Sequence, residues 1–175
     1  MKMVSILICC SPLMMGAGCA PTLVLHSTPR IQTAANSYYD AQFEPLKEGH
    51  NFFVSFKLSI TNKTRKDLVI DWNKTRYLFN NRAFGVFVFE GIQPENIKNS
   101  TIPPDVIPAG QNFSKIIAPY RLLARAPLTS KSQHAGKINT GPIPSGENGI
   151  VLFITQNGKK IVEKLTVNIT KNKAP

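Results

Sequence analysis

The amino-acid sequence predicts an all-β fold: an antiparallel β-sandwich of about seven to nine short strands. Three observations predict it. From Asn51 to Trp72 the apolar residues alternate with polar ones, interrupted by one polar run. Asn157-Gly158 separates two strand-like runs, and both residues tolerate the positive φ of a type I′ hairpin turn. No stretch carries a long 3.6-residue apolar period, so strands must build the core.

In chain order, Asn36 to Leu46 reads as a first strand, with Tyr39, Ala41 and Phe43 on one parity. Pro45 suits its end, because proline cannot donate to a ladder. Val54, Phe56, Leu58 and Ile60 share one face of the second strand. After the polar turn Asn62 to Asp67, Leu68, Ile70 and Trp72 resume the pattern. Thr75 to Phe79 is a short strand. Ala83 to Phe89 is apolar on both parities, which fits a strand covered on both faces better than one exposing an aromatic patch.

Gly91 to Ser100 reads as a polar loop. Pro103, Pro104 and Pro108 exclude a central strand between Ile102 and Gly110 and leave an edge segment or extended connection. Gln111 to Ala118 alternates. Pro119 to Arg125 suits a short helix with proline in its first turn. Gly149 to Gln156 and Lys159 to Thr170 are the arms of the closing hairpin, and Ile161, Leu165, Val167 and Ile169 share a parity interrupted by Glu163.

The totals bound the function. One domain of ordinary size fits 175 residues. Lys and Arg number 21 against 10 acids, a formal charge of +11, which favours anionic partners or simply keeps the chain soluble. Cys9, Cys10 and Cys19 are the only cysteines, so the body of the chain holds neither a disulfide nor a cysteine-based zinc site. His26, His50 and His134 lie far apart, and no nucleophile elbow, P-loop or His-Glu-x-x-His pattern occurs. The expectation is therefore no catalytic residue, metal ligand or cofactor, although three loop histidines could still meet in space and an enzyme stays the third alternative.

Arg121, Arg125, Lys131 and Lys137 fall in an irregular stretch, 120–145, where no acid occurs. They are the candidate contact for an anionic partner; the commoner reading of such a stretch is a solvated loop with scattered charge. Nucleic acid is disfavoured, because no aromatic residue between Tyr120 and Phe153 supplies a stacking platform.

The first residues say where the chain goes. Lys2 precedes the mostly apolar run Met3 to Met15, which has signal-peptide length and is too short to span a bilayer. Gly16, Ala17 and Gly18 then precede Cys19. Small residues before a cysteine resemble the lipobox of bacterial lipoproteins, although Gly16 stands where that family usually has Leu. The resemblance implies removal of residues 1–18, lipidation of Cys19 and anchoring to the lipid bilayer. Two or three acyl chains hold a protein stably where one does so marginally. In Gram-negative cells an Asp after the modified cysteine resembles the inner-membrane retention signal; Ala20 stands there instead, so the resemblance implies the outer membrane, with the body facing the periplasm.

Residues 20–35 then read mainly as a spacer, 36–170 as the sandwich and 171–175 as a basic tail. The block from Asn51 to Ile169 resembles small Ig-like domains of bacterial lipoproteins, with Trp72 as the central core residue. The expectation is a non-catalytic binding or scaffolding module that contacts another envelope protein. Its rival is a binder of an anionic small molecule or polymer through the 120–145 loop.

Overall fold

The fold is an all-β sandwich of two antiparallel sheets. It is seen in a computed structural model that describes residues 23–49, 52–92, 94–125 and 138–173. In chain order the strands are β1 (Leu23–Thr28), β2 (Gln32–Ala35), β3 (Tyr39–Glu48), β4 (Phe52–Asn62), β5 (Leu68–Ile70), β6 (Arg76–Phe79), β7 (Arg82–Ala83) and β8 (Phe87–Val88). They continue with β9 (Asp105–Ile107), β10 (Asn112–Pro119), β11 (Leu123–Arg125), β12 (Ile138–Thr140), β13 (Gly146–Gln156) and β14 (Lys159–Lys173). One sheet runs β1-β14-β13-β5-β9, with β6 and β7 attached beside β13; the other runs β2-β3-β4-β10-β8. β11 and β12 form a separate two-stranded ribbon.

The alternation read from sequence becomes the core. Leu58 and Ile60 of β4 pair with Phe43 and Ala41 of β3 across the ladder, and these four, with Phe56 and Tyr39 on the same strands, are buried. Leu165, Val167 and Ile169 of β14 and Ile150, Leu152 and Ile154 of β13 close it from the other sheet. Phe43 and Phe56 stack at 4.4 Å between ring centres, and Phe87 meets Phe56 edge-on at 6.4 Å. Burial of this apolar surface holds the fold together.

β5 and β6 occupy consecutive stretches of the same edge of β13. Trp72 lies in the turn between them, fully buried against Phe89. There the Phe153 N–H donates to Thr75 Oγ1 at 3.2 Å, so a side chain fills the gap in the ladder. At the closing turn, Asn157 (φ 48°) and Gly158 (φ 77°) both take the left-handed conformation expected of Asn-Gly.

Several expectations are corrected. Residues 20–35 are not mainly a spacer: β1 pairs with β14 from Leu23↔Lys173 to Thr28↔Asn168, and β2 pairs with β3. The chain changes sheet between them, around a cis Thr28-Pro29 bond. Six- and four-residue strands separated by a proline show too little alternation to read, and β1 finds its partner at the far end of the chain. The same pairing makes residues 171–173 part of β14 rather than a tail.

Ala83 to Phe89 is not one strand. β7 belongs to the first sheet and β8 to the second, and the chain crosses between them at Phe84–Val86. Both parities are apolar because the crossing runs past the core edge, with Phe84 and Phe89 packed against it. The polar loop contains a one-turn helix, α1 (Pro94–Lys98). Pro119 ends β10 and precedes a 3-10 turn at Tyr120–Leu122, so the short-helix expectation reduces to that turn. The edge expectation holds for β9, which terminates its sheet.

Candidate functional site

The outer face of the second sheet is polar in its upper half. Ser59 and Ser114, and Thr61 and Asn112, sit opposite one another there, and Thr61 Oγ1 donates to Asn112 Oδ1 at 2.8 Å. Solvent-facing positions of a half-buried sheet ordinarily look like this. Further down, exposed Lys57 sits opposite Ile116, and below that pair apolar residues gather. Ile116 is 60 % exposed, and Leu46, Val54 and Ala118 join it as the floor of a groove of about 740 Å³. Phe89 to Ile92 form one wall; Leu123 of β11 and Thr140 of β12 form the other.

A β-bulge builds this floor. Leu46 pairs with Ser55, but Lys47 pairs with Phe53, so Val54 is the extra residue. The bulge inverts the parity expected from sequence. Phe53 turns into the core, 6 % exposed, while Val54, expected inside, lines the groove. Lys47, Glu48 and Glu90 lie at the rim, so the charges there are of both signs. The groove offers apolar surface with a charged border, the usual character of a binding site.

A lysine lies on the core-facing side of β10. Lys115 sits opposite Leu58, with its ammonium 3.9 Å from the Phe89 ring centre and 5.7 Å from those of Trp72 and Phe113. It pairs with Asp105, whose Oδ2 also accepts from the Trp72 indole N–H at 2.7 Å. Aromatic faces and a carboxylate together compensate a half-buried cation. This cluster joins the edge strand β9 to the core.

Burial acts on two tyrosines. It pushes the Tyr39 hydroxyl up to about 12, with the Asn36 side chain opposing and the Glu163 carboxylate adding to the shift. Burial also raises Tyr77 strongly. Tyr77 donates to Asn148 Oδ1, and the Asn148 amide donates to the carbonyls of Pro144 and Gly146, both at 2.9 Å. These groups tie β6 to β13 and lie away from the groove.

The basic residues singled out by sequence fare differently. Arg121 lies in the 3-10 turn with its guanidinium 5.0 Å from the Phe84 ring centre. Arg125 ends β11, its backbone paired with Ile138. Lys131, Lys137 and the lipidation candidate Cys19 lie outside the described residues, as do His50 and His134. Among the described residues no group of His, Cys, Asp or Glu is arranged to hold a metal ion. No described helix is long and apolar enough to cross a membrane.

Sequence reasoning missed the groove. No local pattern announced it, because its floor depends on the bulge at Val54 and on strands distant in sequence. Compared with protein-family models, curated proteins and solved structures, the chain matches none.

Proposed function

We propose that the protein is a lipid-anchored, non-catalytic binding module of the bacterial envelope, held through Cys19, whose groove accepts an apolar segment of a partner protein. The observation that carries the binding role is the apolar groove floor, Leu46, Val54, Ile116 and Ala118, on a sheet face that is polar above it. Ile116 and Val54 are grouped with Leu46, Ile92 and Leu123 in one groove, and grouping rather than isolated exposure is what marks a contact surface. The groove is open rather than enclosed, whereas a small-molecule site typically covers most of its ligand. A rim with Lys47, Glu48 and Glu90 suits the mixed polarity of a peptide better than a polyanion. Arg121, the described member of the basic set whose side chain is placed, is already stacked on Phe84.

The test places a photo-crosslinking residue at Ile116 in intact cells, with Val162 on the other sheet as control. Discrete adducts from position 116 that resist high salt and disappear with Val54→Asp support the reading. Identical adducts from both positions overturn it. The anchor is tested separately: the processed chain should carry acyl mass, and Cys19→Ser should lose both the mass and flotation with vesicles.

A further inference from the structure

The strands set two ends to the sandwich. The upper end carries the β4–β5 turn and the β13–β14 turn. The lower end carries the β3–β4 turn, the start of β1, the finish of β14 and the exit from β10. Three large exposed apolar side chains lie at strand ends on this side. Phe52 flanks the β3–β4 turn and is 52 % exposed, Leu23 opens β1 at 52 %, and Tyr120 follows β10 at 42 %. Two exposed lysines lie beside them by register: Lys47, opposite Phe53, and Lys171, opposite Leu25. Glu48 shares this end, and Glu147 there lies 3.8 Å from Lys164.

The length of chain before β1 bears on the same end. Only residues 20–22 separate Cys19 from Leu23, the first residue paired to β14. Fully extended, that stretch reaches at most about 14 Å. A headgroup layer is itself about 5–8 Å thick. A 16-residue spacer would have let the domain tumble freely; three residues do not.

We infer that the lower end of the sandwich rests on the bilayer surface, with Phe52, Leu23 and Tyr120 at headgroup depth and Lys47 and Lys171 beside anionic phosphates. The inference rests on Cys19 being the acylated residue. Exposed aromatic and aliphatic side chains with lysines beside them, here Lys47 and Lys171 against Glu48, have the composition of an interfacial contact. Each basic residue near an anionic leaflet adds a modest attraction within a Debye length. The groove shares Leu46 to Glu48 with this end, so its occupant would bind close to the membrane plane.

The experiment uses the full-length acylated protein in vesicles containing a lipid-borne quencher, with either zwitterionic or partly anionic lipid. Fluorescent labels are attached at Glu48→Cys (lower end) or Lys160→Cys (upper end). The expected result is severalfold stronger quenching at position 48 than at 160, strengthened by anionic lipid. That difference should be lost in Phe52→Ser/Tyr120→Ser while flotation persists. Equal quenching at both positions in a protein that carries acyl mass and floats overturns the orientation and leaves the anchor standing. Absence of acyl mass and flotation overturns the anchor, and the orientation with it.

Discussion

The indole N–H of Trp72 donates to Asp105 Oδ2 at 2.7 Å, and the same carboxylate holds the Lys115 ammonium over Phe89. One oxygen thus satisfies a buried donor from the β5–β6 turn and a half-buried cation from β10. Asp105→Ala leaves both without it. The expected loss is about 2 kcal/mol, the scale of a hydrogen bond to a charged group, read from urea denaturation. Lys115→Met keeps the packing on Phe89 and the Trp72 bond, so it should cost less. An equal or larger loss for Lys115→Met would place the stabilisation in the ion pair instead.

The two buried tyrosines should respond differently to loss of the hydroxyl. Tyr77→Phe strands Asn148 Oδ1 in the core and should cost about 1–3 kcal/mol. The Tyr39 hydroxyl is buried without a well-formed hydrogen bond, so Tyr39→Phe should be neutral or slightly stabilising. Thermal melts of the two variants decide it; matching losses would contradict the assignment.

Stability should fall in alkali for the same reason. Both hydroxyls titrate higher in the folded chain than the ordinary value of 10.0. Between the two values the unfolded chain releases protons that the folded chain keeps, so the unfolded state gains. The contribution is complete below about pH 10 and is lost as pH rises through the folded value, about 12 for Tyr39. Denaturation midpoints measured across that window should drop, and Tyr39→Phe should flatten part of the slope.

Gly149 is needed for close approach. A Cβ there would lie 2.6 Å from the Leu165 carbonyl oxygen and 2.7 Å from Thr166 Cγ2 on β14. Gly149→Ala should cost about 2 kcal/mol or more, since the longest ladder of the fold must shift. Gly158→Ala meets nothing within 4 Å and keeps only the cost of a positive φ, about 1–2 kcal/mol. The order of the two melting temperatures checks the argument.

Much of the architecture was legible because sheet burial writes itself locally. Leu68, Ile70 and Trp72, or Leu165, Val167 and Ile169, show their inward face within a few residues, and Asn157-Gly158 announces its turn in two. The prolines around β9 marked an edge for an equally local reason: a missing N–H cannot join a ladder on both sides. The basic set Arg121, Arg125, Lys131 and Lys137 was a grouping by sequence distance. Nothing in that spacing foretold that Arg121 would lie over Phe84.

The alternation of residues by itself determined that this chain forms sheets, which faces carry the core and where the final hairpin turns. Only the tertiary structure decided that Leu23–Ala35 belongs to the sandwich, that the chain changes sheet at Phe84–Val86 and that Val54 faces out beside Ile116. A strand's parity is set by neighbours two residues away. Its partner, and the bulge that reverses its parity, are set by ladders closed between residues as distant as Leu23 and Lys173.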